Sequence, residues 1–381
     1  MMGVRLEGTS RLRPGTAEMR VELVSPHHHS PHTGIGRYLH TMVRFLAASV
    51  DIGINCPRFL PLAERLSPLK NLPIGIRDHR PGSIVHFAQI MGCAMMLYRP
   101  HHPSLATVHD LGFLELPEEW GMFDPVARQM LRLSLAGLKR ADRIVADSEF
   151  TRQGIIEHLE IRKERVVKVY PGIDGELFRP ISDARRKLTG HYPRLGAIAS
   201  APWLLYVGSD LPRKNLRTLL QAVALVREEM ADVRLIKVGS AGGERFRRET
   251  LKTIGALELM EHVLFFEGVP EEMLPLFYGA ADVFVTASRL EGFGFPVLEA
   301  MACGTPVVCS NAGALREVAG DVGLLFEPRD APGFADAIVA ILRDADLGHR
   351  LLENGLQRCR SFSWGRTAQA TLAVYSEMMD G

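Results

Sequence analysis

Two carboxylates eight positions apart mark the stretch of this 381-residue chain with most chemical potential: Glu291 and Glu299, in the run EGFGFPVLEAMACG over 291–304. An apolar, strand-like run, Asp282–Ser288, precedes them. Pro296 and Gly304 then delimit a short helix, Pro in its first turn and Gly just past its end. Glu291 falls where the strand ends, the place at which α/β sheets bind ligands. Glu299 stands among Val297, Leu298, Ala300, Met301 and Ala302, on a helix apolar nearly all round. Such a helix is expected to be buried, and a Glu is seldom buried without a partner. An arginine, a lysine or a helix cap would satisfy it, and so would a ligand rich in hydroxyl groups. The ligand is the favoured expectation.

A second candidate is Gly208-Ser209-Asp210-Leu211-Pro212-Arg213-Lys214-Asn215-Leu216, which starts at a strand end and opens a helix. Cations at a helix N-terminus oppose its dipole. Arg213 and Lys214 together make sense there if an anion such as a diphosphate lies between them; surface solubility is the bland alternative. The loop around Gly34-Ile35-Gly36 also joins a strand to a helix, a geometry that points backbone N–H groups at an anion. Val108-His109-Asp110-Leu111-Gly112 ends a further strand, where His109 can orient, donate a proton or bind a hydroxyl.

Other features carry less. His27, His28, His29 and His32 have no acidic neighbour and read as the rim of a cleft rather than a metal site. The five cysteines show no paired spacing; Cys303 and Cys309 read as small core residues, and a reduced, cytoplasmic compartment is expected. Asp344 and Asp346 read as helix-end charge. Neither a nucleophile-elbow serine motif nor a phosphate-loop lysine motif is present.

The elements that must position these residues follow from periodicity. Residues 1–18 read as a loose tail, and Met19–Ser25 as a first strand, followed by a helix over Arg37–Ala48. Strands are expected at Ser83–Ala88, Leu105–Val108, Arg143–Ala146 and Arg165–Tyr170, with a helix over about 124–140 and no clear assignment for 52–80. The basic side of helix 124–140 suits a surface helix packed on its own sheet better than one lying on the inner face of a membrane. Residues 178–201 read as a linker. A second series then begins, with strands at Trp203–Val207, Val233–Val238, Val263–Phe266, Asp282–Thr286, Pro306–Cys309 and Gly323–Phe326, and helices between them. Strand–helix alternation of this kind predicts an α/β protein with two doubly wound parallel sheets. Composition agrees: 46% hydrophobic and 23% charged is globular, and a net charge of +1 gives no reason to expect nucleic acid. No apolar run approaches the roughly 18 residues of a spanning helix.

Several of these stretches, in this order, resemble glycosyltransferase family four: TGIGRY (33–38), TVHDLGFLELPE (107–118), DSEFTRQGI (147–155), VYPGID (169–174), VGSDLPRKNL (207–216), EGFGFPVLEAMACGTPVV (291–308) and FSWGRTA (362–368). The resemblance covers nearly all of 19–381. It implies a GT-B fold, two Rossmann-like domains facing across a cleft: an acceptor-side domain over 19–183, joined by a returning helix over 363–381, and a donor-side domain over 184–362. It further implies a retaining enzyme that moves a hexose from a nucleotide-diphosphate sugar, with GDP or UDP as the nucleotide, to a glycan or lipid-linked acceptor, without a metal or other cofactor. Glu299 would bind the ribose hydroxyls. Glu291 and the backbone of Gly292, Phe293, Gly294 and Phe295 would meet sugar and phosphate. Arg213 and Lys214 would hold the diphosphate, His109 would reach the sugar from the first domain, and Gly34 and Gly36 would lie near phosphates and acceptor. Ser209 stands where many members carry arginine; this chain instead matches the subset with PRKN, which resembles enzymes of bacterial polysaccharide synthesis, often mannosyltransferases. Such an enzyme would work in the cytoplasm or at the inner membrane face.

Two other classes compete. A dinucleotide-dependent oxidoreductase would explain Gly34 and Gly36, but position 39 is Leu where its fingerprint needs Gly. A non-catalytic sugar- or nucleotide-binding protein on the same fold is the second, and the intact Glu291, Glu299, Arg213 and Lys214 argue against it. Within enzymes, a sugar phosphorylase of the same fold would require phosphate in place of a nucleotide.

Overall fold

The computed structural model describes residues 19–25, 34–55, 57–59, 73–76 and 80–380. The expected tail, His27, His28, His29, His32 and Cys56 lie outside them. The chain divides into two compact units. One takes the residues up to Thr107, then Met130–Arg143 and Ala368 onward; the other takes Val108–Gln129 and Ile144–Thr367.

Among the described residues fourteen strands arise, in chain order: β1 Arg20–Val24, β2 Asp51–Asn55, β3 Pro57–Phe59, β4 Pro73–Ile76, β5 Ile84–Phe87, β6 Ser104–Val108, β7 Arg143–Ala146, β8 Val166–Lys168, β9 Trp203–Val207, β10 Arg234–Val238, β11 Val263–Phe266, β12 Val283–Thr286, β13 Val307–Ser310 and β14 Leu324–Phe326. β3 and β4 form a small antiparallel pair, and the rest build two parallel six-stranded sheets. The first sheet runs β2-β1-β5-β6-β7-β8 and the second β11-β10-β9-β12-β13-β14.

The second sheet shows why its strands read as unbroken apolar runs. Trp203 and Leu205 of β9 face one core with Ile236, Val238, Phe284 and the buried helix Phe295–Ala302. Leu204 and Tyr206 face the other, with Leu235, Val283, Val285 and the helices Leu216–Glu229 and Ala331–Arg343. A strand covered on both faces loses the polar alternation of a half-exposed one. The strand order also fixes where a ligand would go. Counted from β9, it is 3-2-1-4-5-6, so the winding reverses between β9 and β12, and the crevice at such a switch point is the usual binding place.

The expected linker is structured. Residues 184–191 form a helix and 193–198 a 3₁₀ turn, with Ala184, Leu188 and Leu195 buried in the first of those cores. Arg185 fixes it by donating to Asp282 at 2.6 Å and to the Ala280 carbonyl at 3.0 Å. With so few apolar residues and many Arg, Gly and Pro, the segment shows little periodicity. Asp344 caps the helix Ala345–Cys359, accepting from the Leu347 N–H at 3.0 Å, as its helix-end placement suggested. The cysteines Cys93, Cys303, Cys309 and Cys359 are free and buried, and burial pushes the Cys309 and Cys359 thiols up to about 12. Among the described residues no helix is long and apolar enough to cross a membrane.

Candidate functional site

The loops after β9 and β12 meet at the switch point. Arg213 and Lys214 lie in the 3₁₀ turn Pro212–Lys214, followed by Asn215 in the left-handed region at φ 51°. Asparagine tolerates that conformation better than most residues. Its side chain locks the turn, donating to the Ala287 carbonyl at 2.9 Å and the Pro328 carbonyl at 2.6 Å while accepting from Thr218. The Arg289 N–H donates to the Arg213 carbonyl at 2.7 Å, so the backbone itself joins the basic loop to the acidic one.

Between the two cations lies a protein carboxylate. Glu291, its side chain 13% exposed, accepts from Lys214 Nζ at 2.6 Å and faces Arg213 Nη1 at 3.4 Å. Burial works to push the Glu291 carboxyl up, but the charges of Lys214 and Arg213 and hydrogen bonds from Lys214 and Ser288 outweigh it and hold it below its ordinary value. The sequence predicts an anion at this spot, and Glu291 itself supplies one. The triad keeps a net positive charge at a strand-end crevice, which suits a more highly charged anion.

The glycine loop shows why its small residues matter. A Cβ on Gly292 would stand 2.0 Å from the His109 carbonyl oxygen and 2.6 Å from Asp110 Cβ. Gly294 adopts φ 105°, which an L side chain seldom adopts, and caps the helix that carries Glu299. The Phe293 ring is buried in an aromatic cluster with Tyr170, Phe295 and Phe362, leaving its backbone as the polar part of the loop.

His109 is held by Asp147, which follows β7 and opens the run DSEFTRQGI. Its Nδ1 is 2.6 Å from Asp147 Oδ2, and Asp147 is only 2% exposed. A carboxylate only accepts, so Nδ1 carries the proton in this contact, and whenever the ring is neutral Nε2 is the acceptor. Glu299 is buried as expected, at 2% exposure, and its Oε2 accepts from the Tyr278 hydroxyl at 2.7 Å.

Glu291, Arg213, Lys214, His109 and the glycine loop therefore gather within one unit, with Glu299 on the helix leaving that loop. Gly34 and Gly36 belong to the other unit: Gly34 opens the helix Gly34–Leu46 and Gly36 is buried in its first turn. Asp147, Tyr278 and Asn215 are the additions. Asn215 and Asp147 each lie in a run singled out above, VGSDLPRKNL and DSEFTRQGI, whereas Tyr278 lies in none. Among the described residues no group of three or more His, Cys, Asp or Glu could hold a metal ion.

Two family models match the sequence, one described as glycosyl transferases group 1 over residues 194–358 and one as glycosyltransferase family 4 over residues 17–177. The chain is 31% identical over 375 residues to the O-antigen chain mannosyltransferase B of Escherichia coli, covering 91% of this chain and 96% of that protein. It is 34% identical over 247 residues to a D-inositol 3-phosphate glycosyltransferase of Geodermatophilus obscurus, covering 62% of this chain and 52% of the relative. Among solved structures, the sucrose-phosphate synthase of Thermosynechococcus elongatus superposes with a TM-score of 0.75 at 24% identity, over 95% of this chain and 99% of that one. HepE of Anabaena, solved with UDP and glucose, superposes with a TM-score of 0.74 at 19% identity, over 94% of this chain and 99% of the other. At these identities the structural likeness speaks for the fold, the GT-B arrangement of two Rossmann-like sheets.

Proposed function

The chain belongs to glycosyltransferase family four and is a transferase of GT-B fold, and on that premise we propose that it is a retaining hexosyltransferase drawing on a nucleotide-diphosphate sugar. Mannose is the proposed hexose, supported by the likeness to an O-antigen mannosyltransferase over nearly the whole chain. GDP or UDP is the proposed nucleotide, and a glycan or lipid-linked acceptor in cell-surface polysaccharide synthesis, met at the inner membrane face, completes the proposal. We take 19–183 with the helix 363–381 as the acceptor side and 184–362 as the donor side.

The observation that carries this is the charge arrangement at the switch point: Lys214 and Arg213 flanking Glu291 where β9 and β12 end. In the proposed reaction the bond from the sugar's anomeric carbon to the diphosphate breaks while the acceptor oxygen attacks from the same face. The leaving phosphate takes the acceptor proton. Arg213 and Lys214 meet the negative charge that grows on the diphosphate, and they are already placed, so little reorganisation is needed. Glu291 positions the sugar hydroxyls, Glu299 takes the ribose hydroxyls, and the Gly292–Phe295 backbone offers N–H groups. His109, its tautomer set by Asp147, addresses the sugar, and Gly34 and Gly36 address phosphate and acceptor. No metal enters this scheme, since the two cations supply the positive charge.

A panel of GDP-, UDP-, ADP- and dTDP-sugars, assayed for binding and then for transfer to a lipid-linked glycan, tests the proposal. One donor class should bind and yield a product with the donor's anomeric configuration. An inverted product would overturn retention; tight binding of a nicotinamide dinucleotide in place of every nucleotide-sugar would overturn the donor class.

A further inference from the structure

The core of the second sheet contains a charge. Lys237 lies on β10, in the run Arg-Leu-Ile-Lys-Val, and its side chain is 0% exposed. Its ammonium donates to the carbonyls of Gly239 at 2.6 Å and Ser240 at 3.0 Å and stands 2.8 Å from Asp210 Oδ1. The Asp210 side chain is also fully buried. Its other oxygen is 3.4 Å from Arg247 Nε, and Arg247 in turn reaches Glu267 at 2.5 Å. Asp210 thus lies between two cations, one against each oxygen.

Stability alone is a weak reason for such a pair. Taking two charges out of water largely cancels their attraction, and apolar residues of similar volume often serve as well or better. What the pair does in space is join two strand-end loops, the one after β9 and the one after β10. The Asp210 N–H donates to the Ala241 carbonyl at 3.3 Å. A Cβ on Gly239, at φ 118°, would come 2.7 Å from the Gly208 carbonyl oxygen, so the two loops lie against each other. The buried Tyr206 hydroxyl donates to the Ser209 carbonyl at 2.7 Å. Asp210 is thus pinned through backbone, side chain and neighbour, three residues before Arg213, and from there the chain runs directly into the turn that carries both cations.

We propose that Lys237 and Asp210 are positioning residues: their buried pair fixes the loop 208–214 so that Arg213 and Lys214 meet the donor's diphosphate in a preset geometry. This rests on the donor assignment made above. Neither residue touches substrate. Displacing a binding group by about 1 Å can cost about a hundredfold in rate, so a device that removes slack from this loop has a function separate from holding the sheet together.

The discriminating variant is the double change Lys237→Met with Asp210→Leu in the full chain, beside each single change. Asp210→Leu leaves the buried Lys237 ammonium without its carboxylate, and Lys237→Met leaves the buried Asp210 with Arg247 alone, so each single change lowers the melting temperature sharply. The double change restores melting toward that of the unaltered protein. On the positioning account it still weakens nucleoside diphosphate binding, and raises the KM for the nucleotide-sugar, by roughly tenfold or more, while nucleoside binding stays unchanged. Asp210→Glu provides a second line: it keeps the pair but lengthens the tether by one methylene, and should raise the same KM in a folded protein. A double variant, or an Asp210→Glu variant, that binds the diphosphate as the unaltered protein does would overturn the proposal. Failure of the unaltered protein to bind any nucleoside diphosphate would instead overturn the donor assignment, and this inference with it.

Discussion

Glu291 holds its negative charge between Lys214 and Arg213, and its pKa lies below the ordinary value. A depressed carboxylate stabilises the fold at pH values above its unfolded pKa, about 4.3, and that contribution is lost as pH falls through the lower folded value. Acid should therefore loosen the loop only below the usual Glu range, and Glu291→Gln should flatten that acid limb. Because Gln keeps the shape but not the charge, we expect turnover to fall by roughly a hundredfold or more, with nucleotide affinity nearly intact. Equal loss of both would show that Glu291 holds the nucleotide instead. Glu299 separates differently. Its hydrogen bond from Tyr278 joins a charged acceptor, worth about 1.5–3 kcal/mol, so Glu299→Ala should lower the melting temperature and also weaken nucleoside binding by about tenfold. Glu299→Gln, which keeps an acceptor, should recover most of the melting temperature.

At the scale of elements, the glycine loop and the buried helix form one rigid corner. Gly292→Ala would drive a methyl group into the His109 carbonyl, 2.0 Å away. We expect about 1–3 kcal/mol of destabilisation from overpacking, with a drop in kcat/KM larger than that loss explains; unchanged kinetics would separate this loop from the chemistry. The loop, the helix after it and most strands were legible because both faces of each strand are covered, giving apolar runs bounded by glycine. The segment 184–198 was not, since its helix buries little beyond Ala184 and Leu188. The 3₁₀ helix Ile90–Leu97, apolar on almost every side, has no period that tells it from a strand. The site divides along the same line. Residues within motifs could be named from their neighbours, and Asp147 heads one although its partner His109 is 38 positions away; Tyr278 acts across 21 positions of chain and leaves no local trace. Lys237 did leave one, a lysine inside a buried strand, and its partner Asp210 lies in a motif already in view.

For the molecule as a whole, the last helix, Trp364–Asp380, helps to complete the first unit. From Ala368 onward its residues belong to the first unit, where the fully buried Tyr375 meets His86 Nδ1 through its hydroxyl at 2.7 Å. Removing 363–381 should therefore lower the unfolding transition of the first unit; unaltered melting would contradict that dependence. Function at this scale depends on the strand order. Two doubly wound sheets give two switch points, and that of the second collects both cations and both carboxylates at or beside the ends of β9 and β12. We propose that Arg213 and Lys214 stand there for a diphosphate. The most direct test is calorimetric titration of the Arg213→Ala/Lys214→Ala variant with a nucleoside diphosphate and with the matching nucleoside. Diphosphate binding should weaken by about a hundredfold or more, two charge-assisted contacts being lost, while nucleoside binding is retained. Equal weakening of both ligands would contradict that role.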